Sequence, residues 1–420
     1  MSKFYHAPAL GYNHAMIALI ISSVCFLAGL VIITWMHNQY QLDIVVEPAP
    51  DPSTTSLAAE THRSLISPLR ADKPLISVCI PARNEERNIK RCVEALLTQT
   101  YPNFEIIVLD DRSTDSTPKI LTRLSATDSR IKIIDGSDLP PGWAGKPHAL
   151  IQAASVARGE WLCFVDADTF VTPDALAAVY AKAVETEADL FTIMTRQIMR
   201  TFWERTVLPL VMLALSVGFS PRKVNDPKRK DAIANGQFIF IKRDVYEAVG
   251  GHEAIKSSIV EDKDLAVLVK RKGYRLVVAD GRQVASTRMY TSLAEMWEGW
   301  TKNIYLGLRD DRGLLLLGVF GGFLAFTAAL LLPAWVIWGI GLTVAGSSPE
   351  GSVVLVEALA LWGYLLFWRI LASRGMGIPS WYALTLPIGA GVFAAMMLTS
   401  AWNVLSGAGV TWKGRTYSPS

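Results

Sequence analysis

Residues 75–111, LISVCIPARNEERNIKRCVEALLTQTYPNFEIIVLDD, contain the pattern that decides the fold. Residues 75–80 and 104–109 are short, mostly apolar runs, typical of buried strands. Residues 85–99, which separate them, have the apolar spacing of an amphipathic helix. Strand, helix and strand in succession predict a parallel βαβ unit.

The same alternation continues along the chain. Further strands are predicted over residues 131–134, 161–165, 189–196 and 235–242. Further helices are predicted over residues 116–126, 146–157, 173–186 and 261–272. Repeated alternation of this kind implies an α/β fold whose mostly parallel, doubly wound sheet has helices on both faces.

Polar clusters follow the first, second and fourth strands, at residues 81–85, 110–115 and 166–168. In a doubly wound sheet, ligand sites lie beyond the carboxyl ends of the strands. Asp166 and Asp168 stand one residue apart at such an end, which suits a hard divalent cation that carries substrate phosphates. The sequence therefore predicts a metal-bound nucleotide. The alternative is a solvated turn before the next helix.

Asp110 and Asp111 end the second strand, where one carboxylate can accept hydrogen bonds from a ribose or a pyrimidine N–H. The alternative is an Asx turn and helix cap made by Asp111, Ser113 and Asp115. The two interpretations are compatible if Asp115 is the cap.

Two glycines and Lys146 precede the helix at residues 146–157, in the segment GWAGKPH at residues 142–148. Backbone N–H groups and an ammonium in this arrangement are typical of a site that binds a diphosphate. The segment does not have the spacing of a P-loop, and an ordinary glycine-rich turn is the alternative.

Glu261, Asp262 and Asp264 open a later helix, where carboxylates favour the positive end of the helix dipole. The helix dipole alone is a sufficient explanation for Glu261 and Asp264. Transfer of a group from a diphosphate to a hydroxyl also needs a base within hydrogen-bond reach of that hydroxyl, and Asp262 is the candidate.

The composition places part of the chain in a membrane, since the mean hydropathy is +0.28 and only 19% of residues are charged. Residues 15–36 carry no charge and exceed the roughly 20 residues that cross a bilayer, without a cleavage site after them. Further apolar stretches cover residues 313–346, 352–368 and 379–405. The first of these predicts one tilted helix, or a hairpin broken at Pro333.

Residues 207–219 are apolar but too short to span, and basic residues follow them. They predict either a helix in the membrane interface or a segment beside a solvated basic loop. Residues 289–305 carry aromatic side chains at near-helical spacing, typical of core packing or of an aromatic belt, and also suited to holding an amphiphile.

The net charge of +3 argues against nucleic acid as a partner. The four cysteines lack paired or metal-ligand spacing and are expected to be reduced, as in a cytoplasmic domain. The predicted organisation is a transmembrane anchor (1–37), a linker (38–74), a cytoplasmic α/β domain (75–288), an interfacial region (289–312), transmembrane helices (313–405) and a tail (406–420).

The motifs PARNEE (81–86), DDRSTD (110–115), PPGWAGKPHAL (140–150), DAD (166–168) and VEDKDL (260–265), in this order, resemble family 2 glycosyltransferases. The GWAGK element, residues 289–303 and residues 411–417 are similar to a membrane-bound branch that includes hopene-associated and carotenoid (diaponeurosporenoate) glycosyltransferases.

This resemblance implies a GT-A fold, a nucleoside-diphosphate sugar donor that is usually UDP-linked, Mg²⁺ or Mn²⁺, and inversion at the anomeric carbon. It also implies roles for particular residues. Asp166 and Asp168 would hold the metal and diphosphate, and Asp262 would be the base. The nucleotide pocket would be lined by Pro81, Ala82, Asn84, Glu85 and either Asp110 or Asp111.

Lys146 or Lys302 would add positive charge at the diphosphate, and Glu261, Trp300 and Lys302 would contact acceptor or diphosphate. Processive relatives carry a Q-x-x-R-W motif, which EGWTKN at residues 298–303 replaces here. The expected activity is transfer of one sugar to a lipid acceptor at the cytoplasmic face of the inner or plasma membrane. A processive polysaccharide synthase and a noncatalytic membrane scaffold are the alternatives.

Overall fold

The computed structural model describes residues 23–24, 27–32, 34–35, 42–48, 73–308, 334–341, 344, 348–406, 410–412 and 415–417. The chain forms two compact units. The first, here called the sheet unit, comprises residues 41–200, 219–310 and 403–420. The second, here called the apolar unit, comprises residues 1–40, 201–218 and 311–402.

A seven-stranded sheet is the centre of the sheet unit, with strand order β3-β2-β1-β4-β8-β6-β9. Its members are β1 (Ile76–Ala82), β2 (Phe104–Asp110), β3 (Ile131–Asp135), β4 (Trp161–Val165), β6 (Leu190–Met194), β8 (Phe238–Lys242) and β9 (Leu276–Asp280). Only β8 runs antiparallel to its neighbours. The predicted mostly parallel α/β sheet is therefore confirmed.

The register of β1 decides where the polar clusters meet. β1 pairs in parallel with β2 on one side and β4 on the other, and Ala82 lies opposite Asp110. Residues of all three strands are almost completely buried, because their apolar side chains form the core between sheet and helices. The clusters after β1, β2 and β4 consequently emerge side by side at one sheet edge.

The five helices predicted for the α/β domain agree with the structure to within a few residues at each end, and further helices at residues 221–225 and 243–248 were not predicted. Those of the sheet unit are α1 (Ile89–Leu97), α2 (Thr117–Ser125), α3 (Gly145–Val156), α4 (Ala175–Glu185), α6 (Pro221–Asn225), α7 (Arg243–Ala248), α8 (Glu261–Arg271) and α9 (Leu293–Leu308). Those of the apolar unit are α5 (Phe202–Gly218), α10 (Ser348–Gly375) and α11 (Leu386–Leu405), with a 3-10 helix at Ser380–Thr385.

A small second sheet lies beside the first, with order β5-β10-β7. Its strands are β5 (Thr169–Val171), β7 (Arg196–Gln197) and β10 (Ala285–Thr287). Strands of two or three residues are too short to show a period-two pattern, so this sheet was not predicted. It fixes the backbone directly after Asp168, since Thr169 pairs with Thr287.

The segment predicted as a linker begins with residues that pack on the sheet unit. Val46 is buried and donates its N–H to the carbonyl of Asp280 at 2.8 Å, and the N–H of Asp280 donates to Ile44. Residues 42–48 therefore extend the edge of the sheet next to β9 instead of forming a free tether. Residues 49–72 of the predicted linker lie outside the described residues.

Three helices in the described part of the chain are long and apolar enough to cross a membrane: Phe202–Asn225, Ser352–Gly375 and Ser380–Asn403. The first includes the run that was predicted to be too short, because the helix begins earlier, at Phe202. Residues 27–32 of the predicted anchor are helical, but most of the anchor and of stretch 313–346 lies outside the described residues.

Polar contacts join the helices of the apolar unit. Arg369 of α10 donates to the carbonyl of Arg205 on α5 at 2.9 Å, and also to Ser373. At Gly389 of α11, a Cβ would lie 2.5 Å from the carbonyl oxygen of Thr206, so only glycine permits this approach of α11 to α5. These contacts fix the turn between α10 and α11 beside the first two turns of α5.

Candidate active site

The loops after β1 and β2 are tied together by their own polar groups. Asn84 and Arg112 have positive φ values of 54° and 55°, an uncommon conformation outside glycine. The side chain of Asn84 accepts a hydrogen bond from the N–H of Thr114 at 2.8 Å, and its own N–H donates to Ser113. Asn84 therefore connects the two loops and holds them in register.

The carboxylates of this loop pair differ in their surroundings. Asp110 accepts a hydrogen bond from the N–H of Ser113, and Asp115 accepts from the N–H groups of Glu86 and Thr117, so these two shape the backbone. Asp111 instead lies 4.0 Å and 3.9 Å from the guanidinium groups of Arg83 and Arg112. Asp110 therefore shapes the backbone of its loop, while Asp111 lies beside two guanidinium groups.

Lys146 is the centre of the charged cluster beyond β4. Its Nζ lies 2.7 Å from Asp166 Oδ1 and 2.8 Å from Glu261 Oε1. Burial lowers the pKa of Lys146, but the two carboxylates outweigh it and hold this pKa well above its ordinary value. The same ammonium lowers the pKa of Glu261 despite its burial. At Asp166, burial outweighs the ammonium and raises the pKa of the carboxyl.

Asp262 is held by two backbone N–H groups at the start of α8. Gly236 donates to Oδ2 at 3.0 Å and Lys263 donates to Oδ1 at 2.8 Å. Burial and the charge of Glu261 raise the pKa of Asp262 to about 6, while Lys146 opposes the increase. A carboxylate with a pKa near neutrality is suited to accept a proton during catalysis.

Aromatic and cationic side chains lie near these carboxylates. They come from α9 and from the segment just before it. Tyr290 is influenced by the charges of Asp168 and Asp166, which with its burial raise its pKa. The ring of Trp300 lies edge to face with Tyr290, the centroids being 6.1 Å apart. Burial lowers the pKa of Lys302 to about 8, although the nearby Glu261 opposes the change.

The donor set around Asp166 and Asp168 consists of carboxylate oxygens, which Mg²⁺ and Mn²⁺ prefer. Within the described residues, no three His, Cys, Asp or Glu side chains converge as a closed protein metal site does. An ion bound here would therefore complete its coordination with phosphate and water oxygens, as Mg²⁺ at phosphate sites usually does. The ammonium of Lys146 already lies between two carboxylates, which shows that this place favours a cation.

The predicted site residues thus fall into two neighbouring groups. The first, on the loops after β1 and β2, comprises Pro81, Ala82, Asn84, Glu85, Asp110 and Asp111. The second comprises Lys146, Asp166, Asp168, Glu261, Asp262, Trp300 and Lys302. Glu85 joins them, since its charge acts on Asp166.

Two residues of the site were not predicted. Gly236 lies in the turn before β8, where the Asn-Gly pair at 235–236 indicates a turn without indicating its neighbours. Tyr290 belongs to a stretch whose aromatic spacing indicates packing just as well. Only the tertiary structure brings both residues to the carboxylates.

Comparison with known proteins gives the class of this site. Residues 77–250 match the family model described as "Glycosyl transferase family 2". The 4,4'-diaponeurosporenoate glycosyltransferase of Staphylococcus aureus (strain USA300) is 26% identical over 363 residues, which are 86% of this chain and 92% of the relative. The protein of the same name from strain MRSA252 is 28% identical over 249 residues, 59% of this chain and 65% of that protein.

A solved structure has the same fold. The mannosyltransferase PcManGT from Pyrobaculum calidifontis, in complex with GDP-Man and Mn²⁺, aligns with a TM-score of 0.52 and 16% identity, covering 93% of this chain and 99% of that one. The predicted GT-A fold is therefore confirmed. The chain carries a family 2 glycosyltransferase domain, and the protein is a glycosyltransferase.

Proposed function

We propose that this glycosyltransferase moves a single sugar from a nucleoside diphosphate, most simply UDP, to a hydroxyl or carboxylate group of a membrane lipid, with inversion at the anomeric carbon. The observation that carries the proposal is the arrangement around Lys146. This residue contacts both the strand-end carboxylate Asp166 and the helix-start carboxylate Glu261, whose neighbour Asp262 is the candidate base. Donor-binding and proton-accepting groups thus adjoin each other.

The donor would lie along the edge formed by β2, β1 and β4. Asp110 or Asp111 would accept hydrogen bonds from the nucleoside, while Pro81, Ala82, Asn84 and Glu85 would form the pocket around it. Lys146 would turn from Asp166 and Glu261 toward the diphosphate, because an ammonium pairs with phosphate as well as with carboxylate. Lys302 would add a second positive charge on the side of α9.

Asp166 and Asp168 would hold a divalent cation together with the diphosphate. When bound, that ion would offset the negative charge that develops on the leaving group. The GDP-Man and Mn²⁺ of the archaeal mannosyltransferase structure support a nucleotide and a divalent ion at a fold of this type. The choice of Mg²⁺ or Mn²⁺ and of UDP remains part of the proposal.

The transfer would be one in-line displacement. The acceptor oxygen forms a bond to the anomeric carbon as the bond from that carbon to the diphosphate breaks, and the electron pair leaves with the diphosphate. Asp262 takes the hydroxyl proton. A carboxylic acid acceptor would already be ionised at neutral pH and would not need this base.

A lipid acceptor is supported by three observations. The relatives of this chain are named for a carotenoid-derived acid, 4,4'-diaponeurosporenoate, as their substrate. The chain also has helices long and apolar enough to cross a membrane. Trp300 is buried beside Tyr290, and its indole Nε1–H lacks a hydrogen-bond partner in the described part of the chain. That N–H is available for the polar end of an amphiphile.

Transfer of one sugar, in place of processive synthesis, follows from α9. The segment EGWTKN at 298–303 lies where processive relatives carry the Q-x-x-R-W motif and contains neither glutamine nor arginine. We place the protein in the inner or plasma membrane with the sheet unit in the cytoplasm, where nucleotide sugars are available. The described cysteines, Cys79, Cys92 and Cys163, are free and buried, as expected of a reducing compartment.

The test is a product assay with the whole protein in native membranes or detergent. Radiolabelled UDP-sugars are supplied one at a time with Mn²⁺ and a total lipid extract, and the products are analysed by mass spectrometry. The proposal predicts a lipid whose mass has increased by one sugar residue. A ladder of products with many sugars would support a polysaccharide synthase, and the absence of donor turnover with every nucleotide sugar would support a noncatalytic scaffold.

A further inference from the structure

A group of buried, uncharged polar side chains adjoins the candidate site, and the proposed function gives none of them a role. Four of these side chains belong to residues that are at most 5% exposed: Thr169, Thr195, Gln237 and Thr287. A buried hydroxyl or amide is costly unless it is hydrogen-bonded. The partners of each group therefore show what the group holds in place.

The threonine hydroxyls form a chain of hydrogen bonds whose direction is fixed. Thr195 donates to Oε1 of Gln237, and Thr287 donates to Thr195 at 3.3 Å. The hydroxyls of Thr169 and Thr287 are 3.1 Å apart. Because a hydroxyl has one proton and that of Thr287 is already used, Thr169 is the donor to Thr287. The chain therefore begins at the residue after Asp168 and ends on the amide of Gln237.

The amide of Gln237 is oriented by three donors. Besides Thr195, Gln197 of the small sheet donates to Oε1 at 3.0 Å, and Asn235 of the turn before β8 donates to it at 3.4 Å. An amide turned by half a rotation would place its own N–H groups against those of Gln197 and Asn235, which excludes that orientation. The side chain of Gln237 is therefore held in one position.

The backbone beside this amide contacts both carboxylate segments of the site. The carbonyl of Gln237 accepts a hydrogen bond from the N–H of Asp166 at 3.4 Å. The N–H of the preceding residue, Gly236, donates to Asp262 at 3.0 Å. Residues 236 and 237 thus connect the strand end that carries the proposed cation ligands to the helix start that carries the candidate base.

The loop from Asp166 to Thr169 is connected to Gln237 at both of its ends. The N–H of Thr169 donates to the carbonyl of Asp166 at 3.0 Å, so the loop is a closed turn. Asp166 binds the backbone carbonyl of Gln237, and Thr169 reaches the amide of Gln237 through the chain of hydroxyls. Amides and threonine hydroxyls carry no charge at neutral pH, so this ring of hydrogen bonds persists while the carboxylates beside it gain or lose protons.

We propose that Gln237 is a positioning residue for the transfer reaction, and that it sets the separation between the 166–168 loop and Asp262. Its amide holds residues 236 and 237 in place, and their backbone groups in turn hold Asp166 and Asp262. The inference rests on the proposed function. In an in-line displacement the leaving diphosphate and the acceptor oxygen lie on opposite sides of one carbon atom, so a small change in this separation lowers the rate.

Substitutions within the network test the proposal in the full-length protein. Gln237→Met keeps the length of the side chain without its amide, and Thr195→Val removes one of the donors to that amide. Each is expected to lower kcat for sugar transfer to lipid by about 10- to 100-fold, the cost of a misplacement of about 1 Å. The KM for the nucleotide sugar should change much less. Thr195→Ser, which keeps the hydroxyl, should recover most of the lost kcat.

Ser77→Ala is the control for a general loss of stability. Ser77 is also fully buried, and its hydroxyl donates to Glu105 at 2.7 Å and accepts from the N–H of Gly159. It lies near the start of β1, whereas the site lies beyond the end of that strand. Ser77→Ala should lower the melting temperature without lowering kcat. A loss of kcat as large as that of Gln237→Met would overturn the proposal.

A double-substitution cycle shows whether Gln237 acts through Asp262. Asp262→Asn has no base left to position, so adding Gln237→Met should hardly change the remaining transfer rate, whereas independent effects would multiply. If Gln237→Met does not fold, Thr195→Val takes its place in the cycle. Multiplied effects, or wild-type kcat in Gln237→Met and in Thr195→Val, would overturn the proposal.

Failure of the proposed function would give a different result. The wild type would then transfer no sugar to lipid, or Asp262→Asn alone would keep the wild-type rate, and either outcome would overturn the positioning role as well. Normal transfer by the wild type, a slow Asp262→Asn and an unimpaired Gln237→Met would overturn the positioning role alone.

Discussion

The backbone N–H of Gly236 donates a hydrogen bond to Asp262 Oδ2, with 3.0 Å between nitrogen and oxygen. A Cβ at residue 236 would lie 3.0 Å from the same oxygen and 3.2 Å from Lys146 Nζ. The absence of a side chain therefore allows the backbone to approach the candidate base and the central ammonium together. Gly236 is a positioning residue for both.

Gly236→Ala is expected to lower kcat by roughly 10- to 100-fold, since a misplacement of about 1 Å can cost that much. The added methyl group must displace Asp262 or Lys146, whereas the strand that follows is left intact. Steady-state kinetics and a thermal melt measure the two effects. Gly375→Ala is the matched control, because its Cβ meets open space. Normal kcat in Gly236→Ala would remove the positioning role.

Lys146→Gln is expected to weaken nucleotide binding by about 10- to 100-fold, the equivalent of roughly 1.5–3 kcal/mol for a hydrogen bond between charged groups. The substitution also leaves Asp166 and Glu261 without their shared cation. Calorimetric titration with UDP and Mn²⁺ measures the affinity. Lys182→Gln, which removes a surface pair with Glu185, should bind like the wild type. Equal affinities of the two variants would contradict the diphosphate role of Lys146.

The rate should depend on pH with a maximum between about 6 and about 8. Asp262, with its pKa raised to about 6, becomes protonated as the pH falls through that value and can no longer accept a proton. Lys302, with its pKa lowered to about 8, loses its charge as the pH rises through that value. The profile of kcat/KM measures both limbs. In Lys302→Gln the upper limb should disappear, and a profile of unchanged shape would contradict the role of Lys302.

Removal of the proposed metal ligand Asp168 should make the affinity for UDP independent of Mn²⁺. Mn²⁺ is expected to increase the affinity of the wild type for UDP, because an ion held by Asp168 would share its charge with the diphosphate. In Asp168→Asn the affinity for UDP should be the same with Mn²⁺ and with EDTA. The measurement is a calorimetric titration under both conditions. An Mn²⁺ effect of equal size in both proteins would place the ion elsewhere.

The sequence alone predicts six of the seven strands of the main sheet, all except β9, because these strands are five to seven residues long and alternate with periodic helices. It also predicts that the polar clusters after β1, β2 and β4 lie at one edge of the sheet, since parallel strands place their carboxyl ends together. It does not predict the link from Lys146 to Glu261. These residues are more than 100 positions apart, and only the packing of α3 and α8 brings them into contact.

The apolar helices show a different limit of prediction. Hydropathy identifies residues 352–368 and 379–405 as potential spans, but it measures transfer from water and carries no information about attachment. The segment beginning at Phe202 reaches the length of a span only when its first helical turn is included. The hydrogen bond from Arg369 to the carbonyl of Arg205 holds α10 beside α5, and such contacts depend on tertiary structure.

The central claim is that Asp262 is the base, and comparison of the wild type with Asp262→Asn tests it most directly. UDP affinity and the rate of sugar transfer to lipid are measured for both proteins. Asparagine retains the shape but cannot take a proton, so UDP affinity should be unchanged while transfer of sugar to lipid falls by about 10²- to 10⁴-fold, the usual contribution of a general base. Transfer by Asp262→Asn at the wild-type rate would contradict the assignment of Asp262 as the base.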